Sequence, residues 1–294
     1  MAEVATSTTS EQLLVVVDPV ARRSDGESVR IAKDVLGAGA AVKLCLPEGP
    51  EEFARALARR GSRRPVVVGD DRALIRAVAL LHRHRELAGC ALSVVPVGGA
   101  RSLARSLGVP PGTVAAARAV LDGVERRMDL MVDDSGGVVL GALRIPPVTA
   151  APDTLDGEDA EEAEEAVATR PWLRTCQYLV RTLVPAGRPS RLASAPEPGP
   201  SRLRVEVDGE TLVDLHQPVE AVSVSPSASG VAAVEVRPVS VGAEASPLLA
   251  EGRTVTVSGA HFRYRADTVV SGPVRTRTWE VREGAWGLTV PAVP

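Results

Sequence analysis

Over the first third of the chain, short and mostly apolar runs alternate with longer stretches in which apolar residues recur every three or four positions. Leu13 to Val17 is one such run, β-branched and closed by Asp18-Pro19; Val42 to Leu46, Val66 to Val68 and Ala91 to Val95 are others. Continuous apolar runs of this length predict strands buried on both faces. Between them, Glu27 to Leu36, Pro50 to Arg60 and Ala73 to Arg85 carry helical spacing, with Phe53, Ala56 and Leu57 on one side of the second. Strands alternating with helices predict βαβ units and a parallel sheet, whose ligands sit at the carboxyl ends of the strands. The loops that matter are therefore Asp18 to Asp25, Gly69 to Arg72 and Pro96 to Arg101.

Beyond Ser201 the period changes to two. Leu203, Val205 and Val207 alternate with Arg204 and Glu206, and the pairs Val222/Val224, Val234/Val236, Val255/Val257 and Phe262/Tyr264 repeat the pattern between Asp-Gly, Pro and Ser turns. That texture predicts an antiparallel sheet or sandwich. The fold class is thus α/β plus β: an N-terminal parallel α/β domain over 1–145, a linker over 146–170, and a β-rich, mostly antiparallel domain over 171–294. A short helix is expected over 172–183 and a Pro/Ser-rich link over 185–200.

Charge sharpens the linker. The 294 residues carry a formal charge of −3, yet residues 1–150 hold 20 basic residues against 17 acidic, and residues 170–294 hold 14 against 12. Residues 151–169 hold eight acids and no base. Two mildly basic halves do not form the field expected of a nucleic-acid binder. Only Lys33 and Lys43 are lysines, and neither lies in a Gly-Lys-Ser/Thr phosphate loop or a Val-Ala-Ile-Lys strand, so P-loop and protein-kinase chemistry are excluded. Cys45, Cys90 and Cys176 are scattered without a CxxC, and no histidine pair has metal spacing. With no leader pattern and no long apolar run, a cytoplasmic protein is expected.

Several segments are more specific. Leu14-Val15-Val16-Val17-Asp18-Pro19 resembles the strand and Asn-Pro-x-Ser-Gly that open diacylglycerol kinase catalytic domains, the family of bacterial lipid kinases related to sphingosine kinases. Val67-Val68-Gly69-Asp70-Asp71-Arg72-Ala73-Leu74 stands where that family has Gly-Gly-Asp-Gly-Thr-Leu. Val94 to Pro110, with Gly98-Gly99-Ala100-Arg101, is similar to its Pro-Leu-Gly-Thr-Gly-Asn-Asp-Phe-Ala-Arg-x-Leu-Gly-Ile-Pro, and Arg126 to Leu130 to its Arg-x-Ile-Asp-Leu. Leu203 to Glu210, Phe262 to Asp267 and Gly284 to Pro291 resemble its later strands.

The resemblance implies an α/β domain of the NAD kinase/diacylglycerol kinase type followed by a β-sandwich. It also implies ATP and Mg²⁺ as cofactors, phosphorylation of a lipid hydroxyl, and peripheral contact with a membrane. Nucleotide contacts then fall on Asp18, Gly69, Asp70, Asp71, Arg72, Gly98, Gly99 and Arg101. Asp70, beside Mg²⁺, and Asp267 are the catalytic candidates. In the phosphate loop Gly69 and Asp70 alone keep the pattern, because Val68, Asp71 and Arg72 replace two glycines and the threonine. The expectation is a lipid kinase weakened or lost at this loop, or else a pseudokinase-like module that binds nucleotide, phosphate or lipid through arginines.

Plainer readings stand beside these. Asp70 and Asp71 suit a helix cap as well as a metal. Gly98-Gly99 suits an ordinary βα turn, and Arg59, Arg60, Arg63 and Arg64 suit a solvated helix end as well as anionic lipid. His82 and His84 are expected exposed, Cys45 and Cys90 buried, and Trp172, Tyr178, Trp279 and Trp286 in a core or at a domain contact.

Overall fold

The structure, a computed structural model, describes residues 12–147, 200–227, 229–239 and 246–292. The acidic stretch, the helix expected over 172–183 and the link after it, with Trp172, Cys176 and Tyr178, lie outside the described residues.

The four apolar runs become β1 (Gln12–Val17), β2 (Ala41–Cys45), β3 (Arg64–Gly69) and β4 (Ala91–Pro96). They pair in parallel in the order β2-β1-β3-β4. Central β1 and β3 are sealed, whereas Leu44 on the edge strand β2 is 36% exposed. Around them run α1 (Pro19–Ser24), α2 (Gly26–Gly39), α3 (Pro50–Ala58), α4 (Asp71–Arg83), α5 (Ser102–Ser106) and α6 (Thr113–Asp122). Helix α4 shows why: Ala73, Leu74, Ala77, Val78 and Leu81 recur at helical spacing and are all buried. The loop expected over 18–25 is partly helical, since Asp18 caps a turn begun by Pro19 at its first position.

The remaining strands are β5 (Val124–Asp133), β6 (Val138–Val139), β7 (Leu143–Ile145), β8 (Ser201–Val207), β9 (Glu210–Val213), β10 (Pro218–Pro226), β11 (Ala232–Pro238), β12 (Leu248–Gly252), β13 (Thr254–Ala266) and β14 (Val269–Val290). Their mutual pairings are antiparallel. One core lies around the parallel sheet, and a second is lined by Val205, Val222, Val234, Val255, Val257 and Trp279.

Strands β5 and β14 serve both cores. Leu130 and Val132 enter the first core and Met131 the second, as period-two alternation requires. Along β14, Trp279 and Val281 belong to the second core, while Trp286, Leu288 and Val290 belong to the first. There Gly287 and Leu288 pair in parallel with Ala91 and Leu92 of β4. The Ser93 hydroxyl, fully buried, donates to Thr289 Oγ1 at 2.8 Å, so the polar pair inside this seam is satisfied.

Three expectations need correction. Cys45 and Cys90 are half-buried rather than enclosed, and His82 is half-buried rather than exposed. Burial, followed by repulsion from Arg282, pushes the His82 pKa down.

Candidate functional site

The carboxyl ends of β1, β3 and β4 meet in one rim, and backbone hydrogen bonds lock their loops together. Asp18 N–H donates to the Val68 carbonyl at 2.8 Å, Val97 N–H to Gly69 at 3.0 Å, and Asp71 N–H to Ala100 at 2.8 Å. Gly69 is where the loops come closest. A Cβ there would lie 2.7 Å from Ala73 Cβ and 2.9 Å from Asp18 Cβ, so only glycine fits between strand, helix and neighbouring loop.

Among the described residues four carboxylates lie at or beside this rim, and three are committed to other groups. Asp18, 2% exposed, accepts from the Val20 and Ala21 amides and pairs through Oδ1 with Arg76 Nη1 at 2.8 Å. Arg76 also stacks over the Phe53 ring, 5.6 Å from its centroid. Asp71, 1% exposed, accepts from the Leu103 and Ala104 amides at 2.9 and 3.0 Å and from the Ser102 hydroxyl at 3.5 Å. It therefore caps α5 from a distant part of the chain, at a helix start where Arg101 provides no side-chain cap. Burial pushes the Asp71 pKa up against those hydrogen bonds.

Asp267 lies in the turn between β13 and β14, at φ 49°. Its carboxylate accepts from the amides of Leu140, Gly141 and Ala142 at 2.8 to 3.0 Å, and burial raises its pKa. Gly141 joins it to the rim: a Cβ there would be 2.7 Å from Leu103 Cδ1 and 3.1 Å from Asp267 Oδ1.

Asp70 differs. It caps α4 with a single bond from the Ala73 amide at 3.1 Å and is half-exposed, so most of its lone-pair positions are open. Gly98, at φ 107°, lies beside it: a Cβ on Gly98 would be 3.6 Å from Asp70 Cβ and 4.0 Å from Ser24 Oγ. Gly99 has open space around it, and among the described residues neither glycine donates a backbone hydrogen bond. Arg72 stands exposed in the first turn of α4, Arg101 is half-buried at the start of α5, and Arg22 and Arg23 end α1.

The structure thus brings Asp18, Gly69, Asp70, Asp71, Gly98 and Ala100 into one junction and sets Asp267 one residue's breadth from α5. Arg76, 58 positions from Asp18, has no local motif that marks it. Among the described residues no group of three Asp, Glu, His or Cys could hold a metal by itself. A magnesium ion would have Asp70 and substrate phosphates as ligands, a set such ions accept.

Residues 12–132 match the family model described as "Diacylglycerol kinase catalytic domain". No curated protein sequence matches the chain. Among solved structures, "a putative diacylglycerol kinase from Bacillus anthracis str. Sterne" is similar with a TM-score of 0.66 at 16% identity, over 96% of this chain and 98% of that one. A diacylglycerol kinase structure from the same strain gives 0.64 at 14% identity over the same shares. At these identities the likeness is one of fold. No helix among the described residues is long and apolar enough to cross a membrane.

Proposed function

We propose that this chain is a phosphate-binding protein of the diacylglycerol kinase type, taking a nucleotide at the rim of β1, β3 and β4, with phosphoryl transfer to a lipid hydroxyl weak or lost. One observation carries the reading: of the four carboxylates described around the rim, Asp70 alone accepts a single hydrogen bond, whereas Asp18, Asp71 and Asp267 accept three each. A single carboxylate cannot both hold Mg²⁺ and accept the proton of an attacking hydroxyl. Asp267, the other catalytic candidate, has its two oxygens occupied by three amides.

The binding side is better supplied. The free amides of Gly98 and Gly99 and the amino-terminal end of α4 present positive dipole ends to an anion. Arg72 and Arg101 add guanidinium groups suited to phosphate oxygens, with Arg22 and Arg23 on the adjoining loop. Bound Mg²⁺ would neutralise phosphate charge, and Asp70 is the residue placed to hold it. The match over residues 12–132 supports a nucleotide as the ligand, and the departures at Val68, Asp71 and Arg72 support loss of transfer.

Calorimetry with ATP and Mg²⁺ tests the binding half. Replacing Arg72 or Arg101 with alanine removes a charge-assisted contact and lowers affinity roughly tenfold or more. Absence of binding up to about millimolar nucleotide overturns it. Labelled ATP with diacylglycerol micelles tests the other half, with no label above background expected. Turnover abolished by Asp70→Asn, which keeps the α4 cap, would establish the active kinase reading instead.

A further inference from the structure

The arginines that follow α3 part company in the folded chain. Arg60 pairs with Glu86, Arg63 donates to the Arg60 carbonyl and Arg64 to the Val120 carbonyl. Arg59 is the exception. Its side chain is exposed, makes no hydrogen bond or ion pair among the described residues, and lines a cavity of about 360 Å³ between α3 and the edge strand β2. Helical spacing puts Glu52, Arg55, Ala56 and Arg59 on one face of α3 and sends Phe53 and Leu57 into the core behind it. On the strand side, Lys43 and Cys45 are two positions apart on β2 and share a face, and Leu14 of β1 lies beside Lys43 in register.

The walls are of two kinds. Leu14, Cys45, Leu46 and Ala56 supply apolar surface, with Cys45 half-buried. Around it Lys43, Arg55 and Arg59 stand against one carboxylate, Glu52, so three positive charges and one negative leave +2. Glu52 is already engaged, by Arg55 at 3.6 Å and by the Glu48 amide at 2.9 Å. Lys43 has no partner among the described residues. Arg55 and Arg59, four positions apart on the helix, have Cβ atoms about 5–6 Å apart, a like-charge pair that costs stability until an anion enters. A lysine on an edge strand also hinders strand addition. That role asks nothing of Arg55, Arg59 or the hollow between them.

We propose that this cavity is a binding site for a small organic phosphate: a phosphomonoester dianion carried on a compact apolar body. The dianion balances the charge of the walls, which a single carboxylate would leave half matched. Guanidinium groups suit its oxygens, and the apolar body rests against Leu14, Cys45 and Ala56. The volume falls within the range of small-molecule sites. None of the rim residues assigned to the nucleotide lines it. Strand β2 is three strands from β4, about 14 Å at the usual spacing, and the Gly98–Gly99 loop follows β4.

Cys45 reports on the site directly. On the full chain, its alkylation by iodoacetamide is followed by mass spectrometry, with Cys90, which lies outside the cavity, as the internal control. Phenyl phosphate at about 10 mM should slow alkylation of Cys45 at least about fivefold and leave Cys90 unaffected. Inorganic phosphate, without the apolar body, should need roughly tenfold more to match it, and phenol, without the anion, should give no protection. Lys43→Glu with Arg59→Glu should abolish protection, whereas Arg72→Ala at the nucleotide rim should leave it intact. Circular dichroism and ATP calorimetry on the double variant, expected to match the wild type, separate loss of this site from unfolding and from any fault in the nucleotide reading. No protection by phenyl phosphate, equal protection by inorganic phosphate or phenol, or full protection in the double variant overturns the proposal. So does a folded double variant that loses the ATP binding of the wild type, which would assign the cavity to the nucleotide.

Discussion

The β3–α4 junction and the β4–α5 loop lie side by side at the rim, and they differ in what they do with their backbone. At the first, Gly69 is hemmed in by Ala73 and Asp18, and Asp71 is turned inward to cap α5. At the second, the Gly98 and Gly99 amides have no hydrogen-bond partner among the described residues, and a Cβ on Gly99 would meet nothing. The segment that stands at the family's phosphate-loop position is therefore the scaffold, and the β4–α5 segment is the one open to a ligand. A glycine is informative only when its neighbours are known: Gly69 excludes a side chain for packing, whereas Gly98 excludes one for backbone angle.

Substitutions can break this contrast. Asp71→Ala should have the largest effect, because the buried amides of Leu103 and Ala104 lose their acceptor at about 1–3 kcal/mol each, so urea unfolding should show a loss of about 2–6 kcal/mol. Gly69→Ala should cost about 1–3 kcal/mol through overpacking against Ala73 and Asp18, read as a lower melting temperature. Gly98→Ala should cost about 1–2 kcal/mol from its left-handed angle, and Gly99→Ala less than about 0.5 kcal/mol, since its added methyl meets nothing. A Gly99 variant as unstable as the Gly69 variant would erase the distinction between the loops.

The smallest effect is a pH dependence. Burial raises the Asp71 pKa above its ordinary 3.8. For a raised group the associated stability is fully present below the unfolded value and is lost as pH rises through the folded one. The advantage of the wild type over Asp71→Asn should therefore shrink as pH climbs from 3.8 upward. Parallel urea curves for the two proteins check this, and a difference that grows with pH would contradict the burial assigned to Asp71.

Much of this architecture is legible in the sequence because it depends on local pattern. β1 and β3 sit within a residue or two of the apolar runs at Leu13 to Val17 and Val66 to Val68, and the alternating valines from Val205 to Val257 are buried as their period requires. Helices α5 and α6 carry no such pattern. The first is a single short turn capped by a residue 32 positions away, and the second is an alanine-rich run with little amphipathic contrast. At the site, the loops and their glycines were legible, but the fate of the carboxylates was not. Asp70 and Asp71 are adjacent and identical in type, yet one faces the rim and the other the interior, because Asp71 is drawn to amides that only the folded chain brings near. Asp267 belongs to the same class.

The double membership of β14 also bears on how the molecule is made. The first core is completed by Trp286, Leu288 and Val290, and its seam joins residues 196 positions apart at Ser93 and Thr289. A ribosome releases β1 to β4 long before it releases that strand, so the free edge of β4 must wait unpaired while most of the chain is synthesised. Until then the growing polypeptide displays an open, apolar sheet edge, the kind of surface that chaperones cover and that aggregates by strand addition. A fragment cut after residue 147 would remain in that waiting state permanently.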